Sequence, residues 1–229
     1  MSTGGCDRRG PRAAARKWVI MMASTGYPVR LPWGNPPGGV DIEPPDPGLP
    51  PWLEEKLFER RIVFLRGPLT PHAAATASAS LLTLDAMSNE PVRLHLAASD
   101  GDLDAVLTLI DAIDTMHAPV HALATAEVGG AAIGAYAVAR HRVAYPHARF
   151  RMAEPRTPGI SGNAEAATSA AGRHLQALED LVVRVARATG QPRHRVEEDF
   201  HTGRWLDVTE AKEYGLVDEV TRPAPESSS

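Results

Sequence analysis

Few residues of this chain have the type and spacing that chemistry needs. Ser161 sits in Gly159-Ile160-Ser161-Gly162-Asn163. That string lacks the strand–turn–helix setting of a nucleophile elbow, and a loop serine just ahead of a helix reads as a cap or a flexible link. A Ser–Lys pair would need a nearby lysine. Lys17, Lys56 and Lys212 are the only lysines, and Lys212 lies in the last helical pattern of the chain. His117 and His121 stand four apart with Pro119 between them, which spoils the helical spacing that presents two imidazoles to one metal. His141 and His147 flank a strand pattern and read as loop histidines. The single cysteine, Cys6, excludes a disulfide or a Cys-based zinc site within one chain. No metal and no other cofactor is implied.

The elements that must position any site alternate between two periods. Arg61 to Arg66 and Val92 to Ala97 read as short strands, Val120 to Ala126 as a third, then Arg142 to Tyr145 and Ala148 to Met152. Helical patterns run between them. The first starts at Trp52. Thr70 caps the next, with Pro71 at its first position, to about Met87. Leu103 to Met116 carries Leu103, Val106, Leu107, Ile110 and Ile113 on one face. Gly129 to Ala139 reads as a small-residue helix, and Ala164 to Thr189 as a long one with Gly190 as its C-cap. Thr209 to Tyr214 ends at Gly215. Alternation of this kind predicts repeated βαβ units and a mostly parallel sheet, an α/β fold.

The chain has 229 residues, 43% of them apolar, with a formal net charge of −4. That is one ordinary domain with a real core, and no general electrostatic case for nucleic acid or a membrane surface. Residues 1–51 are rich in Pro and Gly and predict a mobile arm. Residues 52–222 form the body, and 223–229 a disordered tail. The basic stretch Arg8 to Lys17 followed by Trp18 to Ala23 has too short an apolar run for a signal peptide. No segment approaches the length of a membrane span, so a cytoplasmic location is expected.

Three strings narrow the fold. Phe58-Glu-Arg-Arg-Ile-Val-Phe-Leu-Arg-Gly67, Pro146-His-Ala-Arg-Phe-Arg-Met-Ala-Glu-Pro155 and Arg204-Trp-Leu-Asp-Val-Thr-Glu-Ala-Lys-Glu-Tyr-Gly-Leu-Val-Asp218 resemble the ClpP family of ATP-dependent Clp serine peptidases, the last most specifically. The resemblance implies a ClpP/crotonase-like spiral of βαβ units with a long handle helix. It also implies a Ser–His–Asp triad, whose positions here fall on Ala132, Ala153 and Gly203. Ala132 is placed by the string Gly129-Gly-Ala-Ala-Ile-Gly-Ala135. A slip of one or two residues reaches Gly129, Gly130, Ala131 or Ile133, which are no better nucleophiles. The oxyanion loop, Ser-Pro-Gly-Gly in the family, falls on Ser99-Asp100-Gly101-Asp102, with Ile133 on the helix side. Carboxylates there would repel a developing oxyanion.

The resemblance therefore points to a degenerate, catalytically inactive ClpP-like subunit that acts structurally or as a regulator. It implies a homo-oligomer, heptameric or double-ringed, or a mixed assembly with an active ClpP paralogue, and an AAA+ unfoldase as partner. Two alternatives stand beside it. A crotonase-like acyl-CoA enzyme would use Glu127 or Glu154, with Gly129-Gly130 resembling an oxyanion helix. An independent scaffold would recruit a partner through the Pro-rich arm.

Overall fold

A computed structural model describes residues 49–155 and 164–221. Ser161, Arg156, the N-terminal arm and the C-terminal tail lie outside the described residues.

Five parallel strands form the main sheet in the order β1-β2-β3-β5-β8. They are β1 Ile62–Arg66, β2 Val92–Ala97, β3 Val120–Ala124, β5 His141–Ala144 and β8 Glu219–Val220. Helix α1 (Pro51–Glu59) leads into β1, α2 (Pro71–Met87) joins β1 to β2, and α3 (Leu103–Thr115) joins β2 to β3. Alternation fixes what faces inward. Val92, Leu94 and Leu96 of β2 are wholly buried, as are Leu81 of α2 and Val106 and Leu109 of α3. Thr70 caps α2 by accepting from the Ala73 amide at 3.2 Å, with Pro71 at the first turn, as its sequence predicts.

The opposite face of this sheet carries Phe64, His95, His121, Leu123 and Val143, all half-buried. No described helix covers it, although parallel sheets are normally covered on both faces. His121 and His141 meet edge to face at 5.6 Å on neighbouring strands. The sheet edge is locked by Arg142. Its guanidinium donates to Asp218 and to the carbonyls of Ala188 and Gly215.

A second, three-stranded sheet has the order β4-β6-β7, from β4 Glu127–Gly129, β6 Arg149–Met152 and β7 Arg204–Leu206. It corrects the sequence reading in two places. The third strand ends at Ala124, because the chain leaves the first sheet at Thr125-Ala126 and enters the second. The small-residue helix does not start at Gly129: it is α4, Ala132–Ala137, and every residue in it is buried. Tyr136 from α4 donates to the Val143 carbonyl at 2.9 Å.

The long helix is α5, Ala164–Thr189, with Gly190 at φ +71 beyond it, as predicted. At 26 residues it spans about 39 Å. It packs tightly on α4: a Cβ on Gly134 would lie 2.3 Å from Leu181 Cδ1. Helix α6 (Arg193–Thr202) has no counterpart in the sequence reading. The last helix, α7, runs Val208–Tyr214 and is capped by Asp207 in a capping box with Glu210, one residue earlier than expected.

Candidate active site

The second sheet positions the site, and its register shows what converges. In the antiparallel pairing of β6 and β7, Arg151 stands opposite Trp205 and Met152 opposite Arg204. Carried one step further, the ladder sets Ala153 opposite Gly203. In the parallel pairing of β4 and β6, Gly129 is level with Arg151, and the Gly130 amide donates to the Arg151 carbonyl at 3.0 Å. The end of β4, the end of β6 and the start of β7 therefore meet in one place. Ala153 and Gly203 are there, and so is the Gly130-Ala131 turn. Ala132 is the first residue of α4 and is wholly buried, as is Ile133. The residue at the strand-to-helix junction is Gly130, with φ +53.

The loop of Ser99, Asp100, Gly101 and Asp102 closes over this turn. A Cβ on Gly129 would lie 2.5 Å from the Ser99 carbonyl oxygen, so only glycine lets the loop sit this close. Gly101 is held as tightly against Leu69, whose amide donates to the Asp100 carbonyl at 3.0 Å. The two carboxylates have different tasks. Asp102 caps α3, accepting from the Ala105 amide at 2.9 Å. The Asp100 carboxylate accepts from the Gly101 amide at 2.8 Å. It also fills the space a side chain on Gly130 would need, since a Cβ there would lie 2.9 Å from Asp100 Oδ1. The Asp100 carboxylate thus lies against the turn that leads into α4.

Directly beneath Gly203 is a satisfied polar network. Gly203 adopts φ +70 and terminates α6. Asp199, one turn earlier, is 6% exposed and accepts from Tyr214 Oη at 2.8 Å and from Arg204 Nη1 at 3.1 Å. Burial and the hydrogen bond to Asp199 push the Tyr214 hydroxyl well above its usual pKa. The hydrogen bond to Asp199 likewise raises that of Arg204. Sequence reading missed this network because its organising helix, α6, went unread.

The two glutamates do not converge. Glu127 is level with Arg149, whereas Glu154 lies five residues further along that strand, roughly 16 Å at about 3.3 Å per residue. Glu154 Oε1 instead lies 3.1 Å from His201 Nδ1, at the end of an open groove of about 370 Å³ floored by Leu178, Val182 and Phe200. Lys212 is exposed on α7. His117 pairs with Asp85 through its backbone amide at 2.9 Å. Among the described residues no cluster of His, Cys, Asp and Glu could hold a metal, and no helix is long and apolar enough to cross a membrane.

The architecture is α/β, a parallel sheet with flanking helices and a small second sheet that carries the site at its rim. The Clp protease family matches residues 52–224. An ATP-dependent Clp protease proteolytic subunit 1 from Frankia casuarinae is 32% identical over 200 residues, covering 82% of this chain and 91% of the relative. A proteolytic subunit 3 from Rhizobium etli is 29% identical over 169 residues, covering 73% and 87%. The chain belongs to the Clp protease family.

Proposed function

We propose that this chain is a Clp-family subunit without peptidase chemistry, which acts as a structural or regulatory part of a Clp-type assembly. One observation carries the reading. Where β4 and β6 end and β7 begins, the residues are Gly130, Ala131, Ala132, Ala153 and Gly203, none of which can attack a carbonyl or carry a proton. Ala132, the first residue of α4, takes the place of the family's serine. Ala153 takes that of histidine and Gly203 that of aspartate. Asp100 adds a negative charge where an oxyanion would need donors.

Assembly is the second half of the proposal. The sheet face that carries Phe64, Leu123 and Val143, half-buried among the described residues, supports burial against another subunit. The subunit would join homomeric rings, heptameric or doubled, or rings shared with an active paralogue, with an AAA+ unfoldase as partner in the cytoplasm. The distance between Glu127 and Glu154 speaks against the two acting together on an acyl-CoA.

The test is hydrolysis of a fluorogenic dipeptide and of casein, with native mass spectrometry of the chain alone and mixed with an active Clp peptidase. The expected result is no cleavage by the chain alone, together with ring-sized or mixed oligomers. Cleavage that a serine-reactive phosphonate abolishes would overturn the reading.

A further inference from the structure

We propose that the exposed face of the β4-β6-β7 sheet, beside Ala153 and Gly203, binds an acidic polypeptide segment. This rests on the non-peptidase reading above and names the ligand class of that same site.

Arg149 and Arg151 both point outward on β6, while Phe150 and Met152 between and beyond them are buried. Four described arginines are matched with carboxylates: Arg142 with Asp218, Arg184 with Asp114, Arg193 with Glu179 and Arg204 with Asp199. Arg149 and Arg151 form no ion pair with any described residue, although Glu127 stands level with Arg149 across the ladder. The Arg151 guanidinium lies 5.5 Å from the centroid of the Trp205 ring. An aromatic ring steadies a guanidinium without neutralising it. Trp205 itself is 48% exposed, which leaves an apolar plate beside the two cations.

The ladder puts these groups on one surface. Trp205 faces Arg151 across the β6–β7 pairing, and Ala153 and Gly203 follow one alternation later. Neither position carries a side chain larger than a methyl, and no described residue lies within 4 Å of a Cβ built on Gly203. A polypeptide suits this face better than a nucleic acid. It offers two charges and one ring, not a basic groove with several stacking platforms, and the whole chain is acidic at −4.

The experiment measures fluorescence anisotropy of a fluorescein-labelled Glu-rich peptide with the full chain, against a Lys-rich peptide of equal length and an oligothymidylate competitor. The acidic peptide should bind, and the Lys-rich one should not. Arg149→Ala combined with Arg151→Ala should weaken binding about tenfold, and Trp205→Ala a few-fold. Raising NaCl from about 50 mM to about 300 mM should weaken it as well. All three residues are on the surface, and an unchanged melting curve verifies folding. Equal binding of both peptides, unchanged affinity in the double variant, or tighter binding of oligothymidylate through the same arginines would each overturn the proposal. Cleavage of the bound peptide counts against the non-peptidase reading alone, while loss of binding in the double variant still supports this site.

Discussion

The ground beneath Gly203 and the surface beside it are built on opposite terms. Beneath it, Asp199 is almost wholly buried and both its oxygens are engaged, by Tyr214 and Arg204. Beside it, Ala153, Gly203 and Gly130 carry no functional group, and no described residue stands within 4 Å of where a Cβ on Gly203 would be. Buried polar groups survive only when fully paired, because each unpaired one costs its desolvation. Keeping such a network beneath a site with no reactive side chain fits a molecule whose shape is what matters. Side chains in the scaffold should therefore be costly to change, and those at the site cheap.

The largest effect is expected at Asp199. Asp199→Ala would leave the Tyr214 hydroxyl buried without an acceptor and Arg204 without its carboxylate. Since Arg204 is partly exposed, the cost is about 2–3 kcal/mol rather than that of a fully buried pair. Differential scanning calorimetry should show a fall in Tm of roughly 4–12 °C for a chain of this size. A loss as small as that of a surface substitution would erase the contrast between scaffold and site.

The Arg142 clasp should show a smaller, pH-dependent effect. Partial burial alone would push the Asp218 carboxyl up, but hydrogen bonds and charge from Arg142 outweigh it and hold the group below its usual value of 3.8. A carboxyl depressed by folding stabilises the native state above its unfolded pKa, and that share is lost as pH falls through the folded one. Asp218→Asn should thus lower stability at neutral pH, by about 1 kcal/mol given its partial exposure. It should also flatten the decline below pH 3.8, leaving the two proteins closest at the acid end. Urea melts across that range test this, and parallel pH curves would contradict it.

How far the sequence discloses each region follows from the same physics. The main sheet is readable because β2, α2 and α3 bury long apolar stretches at clear periods. Helix α6 is not, since Arg193 to Thr202 is mostly charged and only Val196, Asp199 and Phe200 turn inward. Strands β4 and β7 have three residues each and β8 two, too few for alternation to register. The site suffers most from this. Its geometry depends on β4 pairing with β6, and without that strand Gly129 to Ala131 read as helix. Asp102 illustrates a different limit: its charge is visible in the sequence, but its work as the cap of α3 requires knowing where α3 begins.

The smallest effect is expected at Gly203 itself, and it sharpens the contrast most. On the proposed assignment, Gly203→Asp supplies the acid of the triad. The backbone at φ +70 and ψ 41 is left-handed, which costs an L-residue about 1 kcal/mol, somewhat less for Asp than for bulkier side chains. No described residue crowds the position, so no steric cost from them adds to that. Tm should fall by roughly 2–4 °C at most, and no hydrolysis should appear. Adding Ala153→His and Ala132→Ser should not produce it either. The Asp100 carboxylate lies against the Gly130 turn, beside any oxyanion formed at the start of α4. A fluorogenic assay of the triple variant, with and without Asp100→Gly, separates these causes. Activity in the triple variant with Asp100 still in place would mean that Asp100 does not by itself block the proposed site.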